Sequence, residues 1–223
     1  MTSSATTPEL ALYGYFRSSA AFRVRIALNL KGITAEQIPV HLLRGGGEQH
    51  GERYHALNPQ ELVPTLVHGG HAVGQSLAII EYLDDIKPEP PLLPREPLAR
   101  ARVRQIAYAI ACDIHPLNNL RVLFALRDRF GADEPARTEW QRHWMAKGFA
   151  ALEALLAKSP ETGAYCHGDV ATLADVCLVP QLANARRLEL DLSPYPVLTR
   201  IEAHALSHPA FEAALPKNQP DAE

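Results

Sequence analysis

The chain has 223 residues, 47% of them hydrophobic and 21% charged, and carries a formal net charge of −3. That balance belongs to a globular protein long enough to bury a sizeable core as one large or two small domains, and it excludes a disordered or fibrous chain. Neither half gathers Lys and Arg into a block, so no nucleic-acid partner is expected, and no apolar run reaches the roughly 18 to 20 residues of a membrane-spanning helix.

In chain order, Leu10 to Tyr15 reads as a strand and Ala20 to Lys31 as a helix, with Phe22, Ile26 and Leu30 spaced four apart and Gly32 as the stop. Glu36 to Leu42 gives a second strand. Gly45-Gly-Gly47 lacks the G-K-[S/T] ending of a phosphate loop and reads as a mobile surface loop. Two short strands, Thr65 to Val67 and Ala72 to Gly74, flank a Gly69-Gly70 turn, and Ser76 opens a helix through Ile79, Leu83 and Ile86. The order βαβ then ββα implies a small mixed sheet with helices on its faces.

Prolines 88, 90, 91, 94 and 97 then forbid regular structure, which sets a domain boundary. Beyond it the apolar period is 3.6 throughout. Val103, Ile106, Ala107, Ile110, Ile114 and Leu117 form one stripe, and Trp140, Trp144, Ala151, Leu152 and Leu155 another. Thr172-Leu-Ala-Asp175 has capping-box spacing ahead of a helix that Pro180 should kink. The expected architecture is α+β in two domains: residues 8–87, a proline-rich linker 88–97, and an all-α bundle over 98–217. Lys217 to Glu223 reads as a polar, mobile tail.

Met1 to Pro8 lack the basic-then-apolar pattern of a secretory signal. Cys112, Cys166 and Cys177 are far apart, odd in number and form no C-x-x-C pair, so a reducing cytoplasm and three buried small apolar thiols are expected. The ten histidines are scattered, and His68-Gly-Gly-His71 reads as solvated turn residues without the further ligands of a zinc site; no metal is expected.

Chemistry concentrates where Ser18 and Ser19 fall between the first strand and the first helix. Serine is a favoured N-cap, and a helix start also attracts anions, thiolates included. No cysteine of the chain lies there, so a thiol must arrive with a ligand. Arg17 abuts the same turn; Arg23 and Arg25 lie on the helix and read as structural.

The segments Ser18-Ser-x-x-Phe-Arg-Val-Arg-Ile-Ala-Leu28, Ala56-Leu-Asn-Pro59, Leu62-Val-Pro-Thr-Leu66 and Gln75-Ser-Leu-Ala-Ile-Ile-Glu-Tyr-Leu83 occur in that order. Asp113-Ile-His-Pro-Leu-Asn-Asn119, Leu173-Ala-Asp175 and Asp191-Leu-Ser-Pro-Tyr-Pro196 follow them. Together with the two-domain pattern they resemble the zeta class of glutathione transferases, the maleylacetoacetate and maleylpyruvate isomerases, from Leu10 to about Asp221. The family signature usually continues Ser-Ser-Cys, where this chain has Ala20.

The resemblance implies a thioredoxin-like glutathione-binding domain, glutathione as the cofactor and a twofold homodimer. It also implies cis-to-trans isomerisation of a maleyl dicarboxylate in the breakdown of aromatic compounds. Ser18 would meet the glutathione sulfur, with Ser19 and Arg17 in the catalytic turn. Val63-Pro64, as a cis pair, would turn its backbone to the cysteinyl part, and Gln75 and Ser76 would take the γ-glutamyl end. Gln49, His50 and His115 are the candidates for the glycyl end. The substrate carboxylates would meet Arg17, Arg121 and Arg187, with Asn119 nearby, because a guanidinium binds a carboxylate bidentately. Three alternatives are a general transferase or dehalogenase acting on small electrophiles, a thiol–disulfide oxidoreductase, which the missing C-x-x-C disfavours, and a non-catalytic protein on the same scaffold.

Overall fold

The computed structural model describes residues 10–223; residues 1–9, which include the stretch Met1 to Pro8 and the first two residues of the expected first domain, lie outside the described residues. The described residues divide into two compact units, residues 10–90 together with 209–223, and residues 91–208.

The first unit is built on a four-stranded sheet. Strands β1 (Leu10–Gly14), β2 (Glu36–Pro39), β3 (Thr65–His68) and β4 (His71–Gly74) stand in the order β2-β1-β3-β4. β1 runs parallel to β2, with Leu12 opposite Gln37, and antiparallel to β3, with Leu12 opposite Leu66. Gly69 and Gly70, at φ 56° and 81°, make the β3–β4 turn, which requires positive φ at both positions. Helices α1 (Ser19–Lys31), α2 (Glu52–Leu57) and α3 (Ser76–Ile86) complete the βαβ–ββα order, and α1 packs on α3. The short α2 is absent from the sequence reading, since six residues leave no periodic signal.

Helix α1 is buried on nearly every face rather than along one stripe, and Leu30 is only half-buried. Its cations therefore need partners inside the protein. Arg25 donates to the carbonyls of Phe16 (3.0 Å), Tyr15 (3.5 Å) and Ala214 (3.2 Å). Burial pulls its pKa down to about 10, against the raising influence of Asp221. Lys31 pairs with Asp84 and donates to the carbonyls of Lys87 (2.8 Å) and Pro90 (2.5 Å), which fastens the start of the proline stretch to α1.

The sequence reading carries the helical domain to residue 217 and leaves the following residues mobile. The structure corrects both points. Pro209–Glu223, including α9 (Pro209–Ala213), belongs to the first unit, and Asn29 Nδ2 donates to the Ala210 carbonyl at 2.9 Å. Burial of Ala210, Phe211 and Ala214, with hydrogen bonds to α1 and to the Tyr15–Ser18 turn, holds the segment there.

The second unit is all-helical: α4 (Pro97–Tyr108), α5 (Leu120–Phe130), α6 (Glu134–Lys158), α7 (Leu173–Arg187) and α8 (Pro196–Leu206). Helix α4 begins one residue earlier than expected, at Pro97, because the Glu96 carboxylate accepts from the N–H groups of Leu98 (2.9 Å) and Ala99 (2.6 Å). The 3.6 period is not continuous. After α4 the chain widens to a π-helix over Ala109–Ile114 and tightens to a 3₁₀ turn over His115–Asn118. In α6 the buried row is Gln141, Met145, Phe149, Leu152 and Leu156, whereas Trp140 and Trp144 are half-buried and Ala151 is exposed. The expected α6 stripe is thus misphased: the two indoles pack edge-to-face on each other (5.6 Å between ring centres) beside the core row.

Helix α7 forms the centre of this unit and starts at the capping box. Asp175, fully buried, accepts from Cys166 N–H (2.8 Å), Thr172 N–H (2.9 Å) and the Thr172 hydroxyl (3.0 Å). The helix continues through Pro180 as one element. The three cysteines are free thiols; Cys166 and Cys177 are buried, but Cys112 is exposed, contrary to expectation, because the π-helix turns it outward. Among the described residues no helix is long and apolar enough to cross a membrane.

Candidate active site

The turn Tyr15–Ser18 leads from β1 into α1, closed by Ser18 N–H donating to the Tyr15 carbonyl at 3.0 Å. Ser18 is the N-cap, and its Oγ accepts from Ala21 N–H at 3.2 Å. The cap uses a lone pair only; among the described residues no acceptor takes the hydroxyl hydrogen, which stays available to a thiolate. Capping the helix and serving a ligand are thus compatible. Ser19 is buried at the first helical position, with an interaction of its own, and Ala20 is buried where the family signature has Cys.

Arg17 is exposed on the same turn, beside the Tyr15 hydroxyl. Burial raises the Tyr15 pKa; Arg17 opposes that rise with its charge and a hydrogen bond, and the carboxylates of Glu223 and Asp221 add to it.

Val63-Pro64 is a cis bond immediately before β3, and no described residue takes up the Val63 N–H or C=O. An extended peptide could pair with that open backbone. The loop is held from below: the Tyr54 hydroxyl donates to the Leu62 carbonyl (2.7 Å), and Asn58 Nδ2 bonds Leu62 O (2.9 Å) and Thr65 Oγ1 (3.0 Å).

Helix α3 starts with no side-chain cap. Gln75 occupies the N-cap position at φ 65°, a conformation uncommon for a residue other than glycine, and its amide donates to Gln60 Oε1 at 2.8 Å. Ser76 is buried at the first helical position, and Arg23 Nη1 donates to its Oγ at 3.3 Å. Uncapped first-turn amides with a buried cation behind them suit a carboxylate.

Gln49 is buried, packed so tightly over Gly47 that a Cβ there would lie 2.5 Å from its Nε2. Its Nε2 already meets Leu42 O (3.4 Å) and His50 Nε2 (3.0 Å), while its Oε1 has no partner. As placed, Gln49 offers an acceptor, and holding a carboxylate would require its amide to turn over. His50 and His55 both contact Glu61, at 2.6 and 2.8 Å, and these hydrogen bonds hold the Glu61 carboxyl below its ordinary pKa. This pairing of α2 and its leading turn with the approach to Val63 escaped the sequence reading. The spacing of five and then six residues along His50, His55 and Glu61 is its only trace.

In the second unit, His115 opens the 3₁₀ turn, half-buried and engaged with a partner. Asn119 caps α5, its Oδ1 accepting from Arg121 N–H at 3.1 Å, which leaves the Arg121 side chain exposed. Trp140 Nε1 donates to Leu117 O at 2.8 Å and steadies the turn. Arg187 is exposed at the end of α7 and also has a partner. A π-helix directly before His115 is the kind of irregularity that accompanies functional segments.

A separate cleft of about 470 Å³ is lined by Tyr13, Ile38, Val40, Tyr54 and Leu57 and includes none of the candidate residues. Among the described residues no group of three or more His, Cys, Asp or Glu is placed to hold a metal ion.

The glutathione S-transferase N-terminal domain family matches residues 12–91, and the glutathione S-transferase C-terminal domain family matches residues 134–205. The probable maleylacetoacetate isomerase of Vibrio cholerae is 52% identical over 213 residues, covering 96% of this chain and 98% of its own. The holo structure of a bacterial zeta-class maleylpyruvate isomerase superposes with a TM-score of 0.93 at 48% identity, covering 96% of this chain and 100% of that one. The maleylacetoacetate isomerase of Methylobacterium extorquens AM1, solved with malonate and glutathione bound, gives 0.92 at 41% identity over 96% and 99% of the two chains. The mixed four-stranded first unit and helical second unit are the thioredoxin-like and all-α halves of that fold, and with identity near one half along almost the whole length, the chain belongs to the zeta class of the glutathione S-transferase family.

Proposed function

We propose that this protein is a glutathione-dependent isomerase that converts a maleyl dicarboxylate to its trans isomer. The substrate class is a cis-dicarboxylate whose double bond is conjugated to a carbonyl, and maleylacetoacetate and maleylpyruvate both belong to it. The observation that carries the reading is the Ser18 hydroxyl, fixed at the head of α1 with its hydrogen unclaimed.

The first unit fits glutathione on its own features: the uncapped start of α3 for a carboxylate, the open Val63 backbone for a peptide, and Ser18 for a sulfur. When bound, glutathione supplies the sulfur nucleophile that adds to the double bond and departs after rotation about it. Ser18 donates its hydrogen to the sulfur, and the first-turn amides of α1 add positive potential, so the thiol ionises near neutral pH. Ser76 and the α3 amides anchor the γ-glutamyl carboxylate, and Val63 pairs with the cysteinyl amide. Arg17 is assigned to the substrate carboxylate nearest the sulfur, where it also balances negative charge that develops during addition. In the same reading Arg121 and Arg187 serve the distal carboxylate, Asn119 orients the start of α5, and Gln49, His50 and His115 remain the candidates for the glycyl end.

The reading includes a twofold homodimer in the cytoplasm; sedimentation giving twice 24.5 kDa supports the dimer, and a single 24.5 kDa species contradicts it. The activity test follows the ultraviolet absorbance of maleylpyruvate and of maleylacetoacetate with and without glutathione. Isomerisation of at least one substrate that requires glutathione is expected. Isomerisation at the same rate without it, or of neither substrate, refutes the proposal.

A further inference from the structure

The 209–223 segment grips both loops that lead into the glutathione site, with Phe211 and Ala214 buried at its start. Asp221 Oδ2 accepts from Phe16 N–H at 2.9 Å, in the turn that ends at Ser18. Two carbonyls of that turn are held by Arg25, which reaches Tyr15 O and Phe16 O and, through Nε, the carbonyl of Ala214 in the same segment. Phe16 N–H therefore has an anionic acceptor, and the turn is pinned from both its amide and its carbonyl sides.

Glu223 reaches the second loop. Its Oε1 lies 2.7 Å from Arg44 Nη2 and 3.3 Å from His41 Nε2. His41 Nδ1 accepts from the N–H groups of Leu43 (3.2 Å) and Arg44 (2.8 Å), which ties its ring to the same loop. The loop so held, 41–47, runs directly into Gln49. Tyr15 joins the two loops, with its ring edge-on to Phe16 (4.7 Å) and to His41 (4.9 Å). The segment is also firm within itself: Gln219 Nε2 donates to the carbonyls of Ala213 (3.0 Å) and Leu215 (2.8 Å).

We infer that Asp221 is a positioning residue for glutathione: its hydrogen bond to Phe16 N–H fixes the turn that presents Ser18, with Glu223 steadying the loop before Gln49. Asp221 acts through the backbone of Phe16. Its electrostatic reach is consistent with this, since the carboxylates of Asp221 and Glu223 both bear on Tyr15 beside Arg17. The inference rests on glutathione binding by the first unit.

The test is calorimetric titration of glutathione into the unmodified protein and into Asp221→Ala, Asp221→Asn and Glu212→Gln, each with its thermal midpoint. Loss of a hydrogen bond to a charged acceptor weakens binding about tenfold in Asp221→Ala. Asp221→Asn keeps an oxygen for Phe16 N–H and recovers at least half of that loss on a logarithmic scale. Glu212, exposed on α9, leaves binding unchanged when replaced. Weakening below threefold in Asp221→Ala, or no recovery in Asp221→Asn, overturns the inference, whatever happens to the midpoint. Should Asp221→Ala not fold, Asp221→Glu, which displaces the carboxylate by one methylene, takes its place with the same threefold threshold. Unmodified protein that fails to bind glutathione refutes the proposed function instead, so the two failures are distinguishable.

Discussion

Replacing Ser18 separates its two roles. Ser18→Ala removes the acceptor that Ala21 N–H uses at 3.2 Å, and losing such a cap costs about 1 kcal/mol. For a chain of 223 residues that lowers the thermal midpoint by roughly 2–4 °C. It also removes the donor to the thiolate. If the thiol returns from near 7 to an ordinary value of about 8.5, its ionised fraction at pH 7 falls from about one half to about 3%, a loss of roughly 15-fold before any misplacement of the sulfur. Ser18→Asp breaks the correlation between the two effects. An ionised carboxylate caps the helix as well as serine and favours its positive end, so stability returns to or above that of the unmodified protein. Having no hydrogen to give, it leaves the isomerase at least as impaired as Ser18→Ala. Thermal melts and glutathione-dependent isomerisation at pH 7 read the two effects. A Ser18→Asp protein that isomerises within threefold of the unmodified rate refutes the reasoning.

The capping box of α7 should be the costliest polar site in the second unit: Asp175→Ala strands the buried N–H groups of Cys166 and Thr172 and destabilises by about 4 kcal/mol in denaturant unfolding, and a loss under 1 kcal/mol contradicts this. Glu61, depressed by the hydrogen bonds from His50 and His55, adds stability at pH values above the ordinary carboxylate range; that stability is lost as pH falls through its lowered folded pKa. In an NMR titration its carboxyl titrates below the usual Glu value in the unmodified protein and at the usual value once His50 and His55 are both replaced by Ala. Arg121→Ala and Arg187→Ala raise KM for the dicarboxylate about tenfold while glutathione affinity stays within twofold, and lysine at either position restores only part of the loss because the bidentate fork is gone. An unchanged KM in both variants removes those arginines from the substrate.

Most of the first unit was legible because its signals are local. A polar turn between an apolar strand and a helix marks Ser18, and the Gly69-Gly70 hairpin fixes β3 against β4. The capping-box spacing at Thr172 and Asp175 was equally plain. What stayed hidden depends on contacts distant in sequence. The docking of Pro209–Glu223 on the first unit is hidden because a short apolar set, Ala210, Phe211 and Ala214, has no period to read, and its polar anchors, Asn29, Arg25 and the backbone of Phe16, are far away in sequence. The α6 stripe was misphased because two tryptophans outweigh Met145 and Phe149 in any hydrophobic count, although rings so large are rarely buried whole. Cys112 was placed inside on residue type alone, whereas it lies in the π-helix Ala109–Ile114, away from the buried Ile110 and Ile114. At the site, Ser18 caps α1, as its residue type suggested, and Val63-Pro64 is cis, as the resemblance implied. The poor fit of Gln49 as a donor appears only once its amide is seen committed to Leu42 and His50.

The central claim is that this fold ionises a thiol it does not own. Titrating the ultraviolet difference absorbance of thiolate in the glutathione complex against pH tests it most directly. The account predicts an apparent pKa at least one unit below the roughly 8.5 of an ordinary thiol, with the shift lost in Ser18→Ala. A bound thiol that titrates at or above that ordinary value contradicts it.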